Sequence, residues 1–168
     1  DDLYLAIYRY DLSRIRAILD AHPEFLIYDS NRVYPLFQAV NLLYVNVIRE
    51  LVSRGIDLTQ MCRGRTVIHM VVGNSFHNDC ALETLEFLVH SGAPIHSRDE
   101  EGKTALDHLM NIISTLFGRS DPEYKKIYTE RVLGVTKLLL DHGVSYNASL
   151  LTPLRESGYK EIADLIEG

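Results

Sequence analysis

The sequence predicts an all-α solenoid of stacked helix–turn–helix units, and two recurring phrases with a regular spacing carry that prediction. A closing phrase ends a helix at Leu85-Glu86-Phe87-Leu88-Val89-His90-Ser91-Gly92-Ala93 and recurs at 48–56, at 137–144 and, in a weaker copy, at 15–23. An opening phrase starts a helix at Thr66-Val67-Ile68-His69 and again at Thr104-Ala105-Leu106-Asp107. The closing positions His22 and Gly55 are 33 residues apart, Gly55 and Gly92 are 37, and Gly92 and Gly143 are 51. A period of this size marks a stack in which neighbouring units bury one another's apolar faces.

The units divide at roughly 1–28, 29–60, 61–98, 99–144 and 145–168, within one domain spanning 1–168. The first opens inside its first helix with Leu3-Tyr4-Leu5-Ala6-Ile7, followed by Leu12, Ile15, Ile18 and Leu19. In the second, Tyr34-Pro35-Leu36-Phe37-Gln38-Ala39-Val40 places proline in a first helical turn, where its missing N–H costs nothing. Ile48, Leu51 and Val52 follow at i, i+3 and i+4 as one apolar stripe, and Gly55 ends that helix. Thr66 and Thr104 are expected N-caps of the third and fourth units.

Two units are enlarged. The third has about five extra residues near 73–79, and the fourth about eighteen near 111–130. Leu106, Leu109, Met110, Ile113 and Phe117 extend a helical stripe into the larger insertion, and Gly118-Arg119-Ser120 breaks it. Asp121-Pro122-Glu123 restarts a helix with a capping carboxylate and an early proline, and Tyr124, Ile127, Tyr128, Val132 and Val135 continue at helical spacing. Both helices of the fourth unit are thus expected to be elongated and to form a protruding hairpin. The fifth unit has two readable registers, one opening at Ser149-Leu150-Leu151-Thr152 and one at Thr152-Pro153-Leu154. Its last helix carries Lys160, Glu161, Asp164 and Glu167, as a polar terminal cap should.

These motifs resemble the ankyrin repeat, a turn followed by two antiparallel helices. Tyr34-Pro35-Leu36-Phe37-Gln38-Ala39-Val40 stands where that family has Thr-Pro-Leu-His-x-Ala-Ala, and Asp99-Glu100-Glu101-Gly102-Lys103-Thr104-Ala105-Leu106 approaches Asp-x-x-Gly-x-Thr-Pro-Leu. The fold class is therefore an all-α ankyrin-repeat solenoid with an elongated fourth repeat. The resemblance implies a non-enzymatic protein-interaction module without a cofactor, whose turns and first helices line a concave binding face. The positions matching that face are Tyr8, Arg9, Ser30, Asn31, Val33, Asn41, Leu42, Cys62, Arg63, Arg65, Asn74, Glu100, Glu101, Lys103 and Asn111. The size resembles small all-ankyrin regulators, such as certain cyclin-dependent-kinase inhibitors, so a regulatory adaptor, inhibitor or activator of a kinase or cell-cycle component is one expectation. A repeat block cut from a channel, a kinase or a ubiquitin-ligase substrate receptor is the alternative, and a small metal-binding protein or enzyme using His77, Cys80 and Cys62 is a more remote one.

Composition narrows the function classes. Of 168 residues 46% are hydrophobic and 24% charged, an ordinary balance for a globular chain. The net charge of −6 gives no support for DNA or RNA binding. No apolar run approaches the ~20 residues of a membrane span. Two cysteines, Cys62 and Cys80, do not suggest a disulfide framework, so an intracellular setting, cytoplasmic or nuclear, is expected.

Candidate chemistry is sparse. His69 falls at the family's start-signal histidine, where its ring is expected to tie one repeat to the next. His77, Cys80 and Cys62 are the only soft-ligand cluster, and they lack the paired spacing of a closed zinc site. Asp107 and His108 are adjacent on a helix and point apart, so they form no relay; Asp107 is expected to bond its own helix turn. Asn147-Ala148-Ser149 matches a glycosylation pattern and is read as a chance match.

Leu42-Leu43-Tyr44 fills an inter-helix turn where ankyrin repeats carry a polar residue, glycine and histidine. With Tyr8 and Tyr10 one repeat earlier it forms a candidate contact ridge, the alternative being that these side chains pack over the N-terminal edge of the stack. Phe117 and Tyr124 of the enlarged repeat complete the candidate contact residues.

Overall fold

A computed structural model describes residues 2–27, 34–76, 79–117 and 121–168, the side chains of 116 and 117 excepted. Five helix pairs follow one another along the described residues: α1 (Asp2–Tyr8) with α2 (Leu12–Ala21), α3 (Pro35–Asn41) with α4 (Val45–Ser53), and α5 (Val67–Asn74) with α6 (Ala81–His90). They continue with α7 (Ala105–Ile112) and α8 (Pro122–Asp141), then α9 (Leu151–Glu156) and α10 (Lys160–Glu167). The first helices pack in sequence, α1 on α3, α3 on α5, α5 on α7 and α7 on α9, while α8 touches both α6 and α10. One apolar core runs the length of this stack. Leu36, Ile68 and Leu106 bring the same motif position to zero exposure in three successive pairs. These helices hold through stacking, since most are too short to persist alone.

The ends of the second helices follow the sequence closely. Gly55, Gly92 and Gly143 adopt φ of 81°, 93° and 68° immediately after α4, α6 and α8. The left-handed region lets the next N–H reach back to the open carbonyls of the helix, as Ala93 N does to Leu88 O.

The turns between paired helices hold a correction. Tyr10 and Leu43 stand at φ of 57° and 50°, where a glycine is expected. Each closes its turn in the same way: Tyr10 N donates to Ile7 O and Asp11 N to Ala6 O, while Leu43 N donates to Val40 O and Tyr44 N to Ala39 O. This conformation turns Leu43 inward, and only 5% of it is exposed. Leu43 is therefore a core residue and leaves the contact ridge.

The same pattern fixes the register of the last pair. Gly158 N donates to Arg155 O and Tyr159 N to Leu154 O, with Gly158 at φ 95°. Gly158 is thus the counterpart of Tyr10 and Leu43, which makes Leu151 the counterpart of Leu3 and Leu36. The register opening at Ser149 holds, and Pro153 lies inside α9 with no start-signal role.

Elongation of the fourth pair takes an unequal form. α7 passes into a π-helical turn, Ile113–Phe117, and α8 runs 20 residues from an Asp121 cap that accepts from Glu123 N. The extension of α8 is clasped by its neighbours. Arg131 reaches Phe76 O at 2.8 Å and pairs with Asp79, and Lys125 donates to Ser157 O at 2.7 Å. Both helices of the fourth pair are elongated as expected, and the second is held against the turns on both sides. The break at 118–120 lies outside the described residues.

Candidate interaction surface

The opening phrases supply the ties between successive pairs. In the third pair the Thr66 hydroxyl meets His69 Nδ1 at 2.9 Å, and His69 Nε2 meets Lys103 O at 3.1 Å. A carbonyl can only accept, so Nε2 donates to it and the neutral ring accepts from Thr66 through Nδ1. Thr66 makes no side-chain cap bond to α5, and its hydroxyl meets the imidazole instead. Burial holds the pKa of His69 below its ordinary value.

The fourth pair makes the tie with a carboxylate. Thr104 caps α7 by accepting from Asp107 N, and Asp107 Oδ2 accepts from Thr104 N at 3.1 Å in return. Asp107 Oδ1 then accepts from Asn147 N in the next pair. The expected helix-turn bond is present, and the second oxygen adds a bridge the sequence did not reveal. Thr104 Oγ1 donates to Ser145 O, a second link across the same boundary.

Between these ties sits His108. It is 9% exposed, its ring centre lies 6.3 Å from that of His69, and its pKa is pushed down to about 4, first by burial and then by the charge of Arg65. Asp107 bonds Thr104 and Asn147, while the His108 ring lies edge-on to that of His69.

Turn tips beside the first helices differ between the third and fourth pairs. Cys62 and Arg65 exchange both backbone bonds, Cys62 N to Arg65 O at 2.8 Å and Arg65 N to Cys62 O at 3.1 Å. Arg63 and Gly64 at the tip stand at φ 50° and 73°, as a type I′ hairpin turn requires. The next tip is one residue longer, closing from Asp99 N to Lys103 O, with Asp99 Oδ1 accepting from Glu101 N and Lys103 N. Glu100 N donates to Gly64 O, and the Glu100 side chain covers Gly64 so closely that a Cβ there would meet it at 2.4 Å.

Arg63, Arg65, Glu100 and Glu101 are exposed on these tips, and Lys103 is half-buried against Glu101. At the other end of the stack Tyr8 is 61% exposed, Arg9 and Asn41 are exposed, and Leu42 is half-buried. Tyr10 packs edge-on against Tyr44 with ring centres 4.8 Å apart, and Asn46 donates to its hydroxyl at 2.8 Å. These two rings cover each other, and Tyr10 stays 42% exposed. Tyr124 is 58% exposed on the first turn of α8. Ser30, Asn31, Val33 and His77 and the side chain of Phe117 lie outside the described residues.

Among the described residues no group of three His, Cys, Asp or Glu side chains is placed to hold a metal ion. No described helix is long and apolar enough to cross a membrane. No protein-family model matches the sequence, and a search of curated proteins returns no match. Among solved structures the chain is similar to an ankyrin repeat domain from Acinetobacter baumannii, with a TM-score of 0.72 and 21% sequence identity over 98% of this chain and 79% of that one. The helix pairs, the glycine-ended second helices, the threonine–histidine tie and this superposition agree: the chain has the ankyrin-repeat fold.

Proposed function

We propose that the chain is a protein-interaction module of the adaptor or regulator type, binding its partner along the first-helix ends and turn tips. The observation that supports this best is the group Tyr8, Arg9, Tyr10 and Asn41. These large or polar side chains stand exposed beside a core that the stack closes without them. Tyrosine and arginine are the residue types that anchor interfaces, tyrosine through a large contact area on few rotatable bonds and arginine through its planar, multiply donating guanidinium.

The test is capture from native cell extract with wild-type chain and with a Tyr8→Ser, Arg9→Ala double variant. Neither substitution removes a core contact, so the melting temperature should stay within about 2 °C of wild type. Loss of the captured protein at unchanged melting temperature supports the reading, and capture that survives the double variant refutes this placement. A kinase or another cell-cycle component, the partner class the chain's size suggests, is judged by the identity of the captured protein.

A further inference from the structure

We infer that the hairpin tip at 62–65 is a docking point for an acidic peptide segment, with Arg63 and Arg65 as its carboxylate-binding groups. This rests on the reading of the chain as an interaction module and names the chemistry of its partner.

The chain pairs most of its described arginines. Of the ten whose side chains are described, seven have a partner. On the second helices the pairing runs from repeat to repeat at a separation of 34 residues. Arg16 bonds Glu50 at 2.8 Å, Arg54 bonds Asp20 at 2.7 Å, and Arg49 bonds Glu83 at 3.1 Å. The hydrogen bonds from Arg54 and Arg16 hold the Glu50 carboxyl below its usual pKa. Arg9, Arg63 and Arg65 have no ion pair or hydrogen bond among the described residues, and two of these three share one hairpin tip.

The backbone of that tip adds a second, independent observation. Arg63 holds φ 50°, a region that costs a residue bearing a Cβ about 1 kcal/mol and that asparagine or glycine enters readily. The side chain at Arg63 is exposed and contributes no described contact to the fold. Arg63 thus keeps a costly left-handed backbone while its exposed guanidinium has no ion pair or hydrogen bond among the described residues, an arrangement expected where a side chain serves binding.

Acidic peptide is favoured over nucleic acid by the surroundings. Arg65 is close enough to His69, His108 and Lys103 to oppose protonation of each. Beside the two arginines lie Asp99, Glu100 and Glu101, with the Glu100 side chain against Gly64 between them and Lys103 already bonded to Glu101. A polyphosphate backbone laid across the turns would run onto these carboxylates, whereas a peptide can place one or two carboxylates on the arginines and no charge beyond them. Planar guanidinium groups suit that bidentate pairing.

The experiment is selection of linear random peptides on the wild-type chain, followed by affinity measurement of the enriched peptides by fluorescence anisotropy. Enrichment in Asp and Glu is expected, with binding that weakens as salt rises. Arg63→Ala with Arg65→Ala should weaken binding about tenfold or more, while Arg49→Ala, which removes a paired second-helix arginine, should leave it unchanged. Arg63→Asn is the sharpest variant, because it should raise the melting temperature by relieving the turn and still weaken binding. The inference is overturned if the enriched peptides carry no acidic bias, or if they bind the double variant as well as wild type. It is also overturned if a single-stranded DNA oligonucleotide binds as tightly with the same arginine dependence. Peptides that bind without acidic bias and depend on Tyr8 and Arg9 would overturn this inference and leave the interaction-module reading standing.

Discussion

Two neighbouring boundaries in this stack are joined by opposite chemistry at the same motif position. Between the third and fourth pairs, His69 donates to the carbonyl of Lys103. Between the fourth and fifth, Asp107 accepts from the N–H of Asn147. The position calls for a buried side chain that binds its own turn with one atom and the next repeat with another. Imidazole does this as donor and acceptor, carboxylate as a double acceptor, and the neighbouring backbone presents C=O in one case and N–H in the other. What the repeat preserves is a geometry of bridging.

Acid separates the two boundaries most strongly, since only the first holds imidazoles. Burial lowers the folded-state pKa of both His69 and His108, the latter to about 4. Unfolded chain therefore binds more protons below pH 6.5, so this stability is complete above 6.5 and lost as pH falls toward 4. For His108 alone the loss has an upper bound of about 3 kcal/mol. Urea unfolding at pH 7.5 and pH 4.5 checks it: His108→Gln should narrow the difference between the two. An equal acid sensitivity in both proteins would assign the loss to carboxylates elsewhere.

Removing the carboxylate bridge ranks next. Asp107→Ala leaves the N–H groups of Thr104 and Asn147 without their acceptor and should cost ~2–3 kcal/mol in urea unfolding at neutral pH. Asp107→Asn keeps one acceptor oxygen and should cost about 1 kcal/mol. Were both variants as stable as wild type, the bridge would carry no weight and the parallel with His69 would fail.

The smallest effect concerns the turns within pairs. Tyr10→Gly relieves a left-handed φ but gives up the edge contact with Tyr44 and the bond from Asn46. Strain of ~1 kcal/mol against an aromatic pair of similar size predicts a change within about 1 kcal/mol of zero. A loss well beyond that in thermal unfolding would show the tyrosine pair to be chiefly structural.

Much of this architecture is legible in the residues, and the exceptions share a cause. Gly55, Gly92 and Gly143 announce their helix ends because glycine is the residue that enters φ > 0 freely. His69 announces its tie because it sits in a motif whose neighbours fix its direction. Leu43 and Tyr10 hide the same backbone state behind side chains that do not favour it, so the turn at Leu42-Leu43-Tyr44 reads as an apolar surface when its middle residue is in the core. Thr66 reads as a cap because sequence shows its hydroxyl and not the backbone geometry that leaves the cap bond unmade. The second oxygen of Asp107 and the pairing of Arg16, Arg49 and Arg54 depend on partners about one repeat away, which local pattern does not reveal. The exposure of Arg63 and Arg65 is legible as charge, while their lack of partners is visible only against the arginines that have them.

The long eighth helix has a consequence for how the stack comes apart. In a linear repeat array each unit is coupled only to its immediate neighbours, and ends can fray one unit at a time. α8 is about 30 Å long, and its extension bonds Phe76 and Asp79 on one side and Ser157 on the other. A single element thus spans two boundaries, and the C-terminal three pairs should exchange their slowest amide hydrogens at one common free energy. The first two pairs, joined to the third through α3 on α5 and the Arg49–Glu83 bond, should open ahead of them.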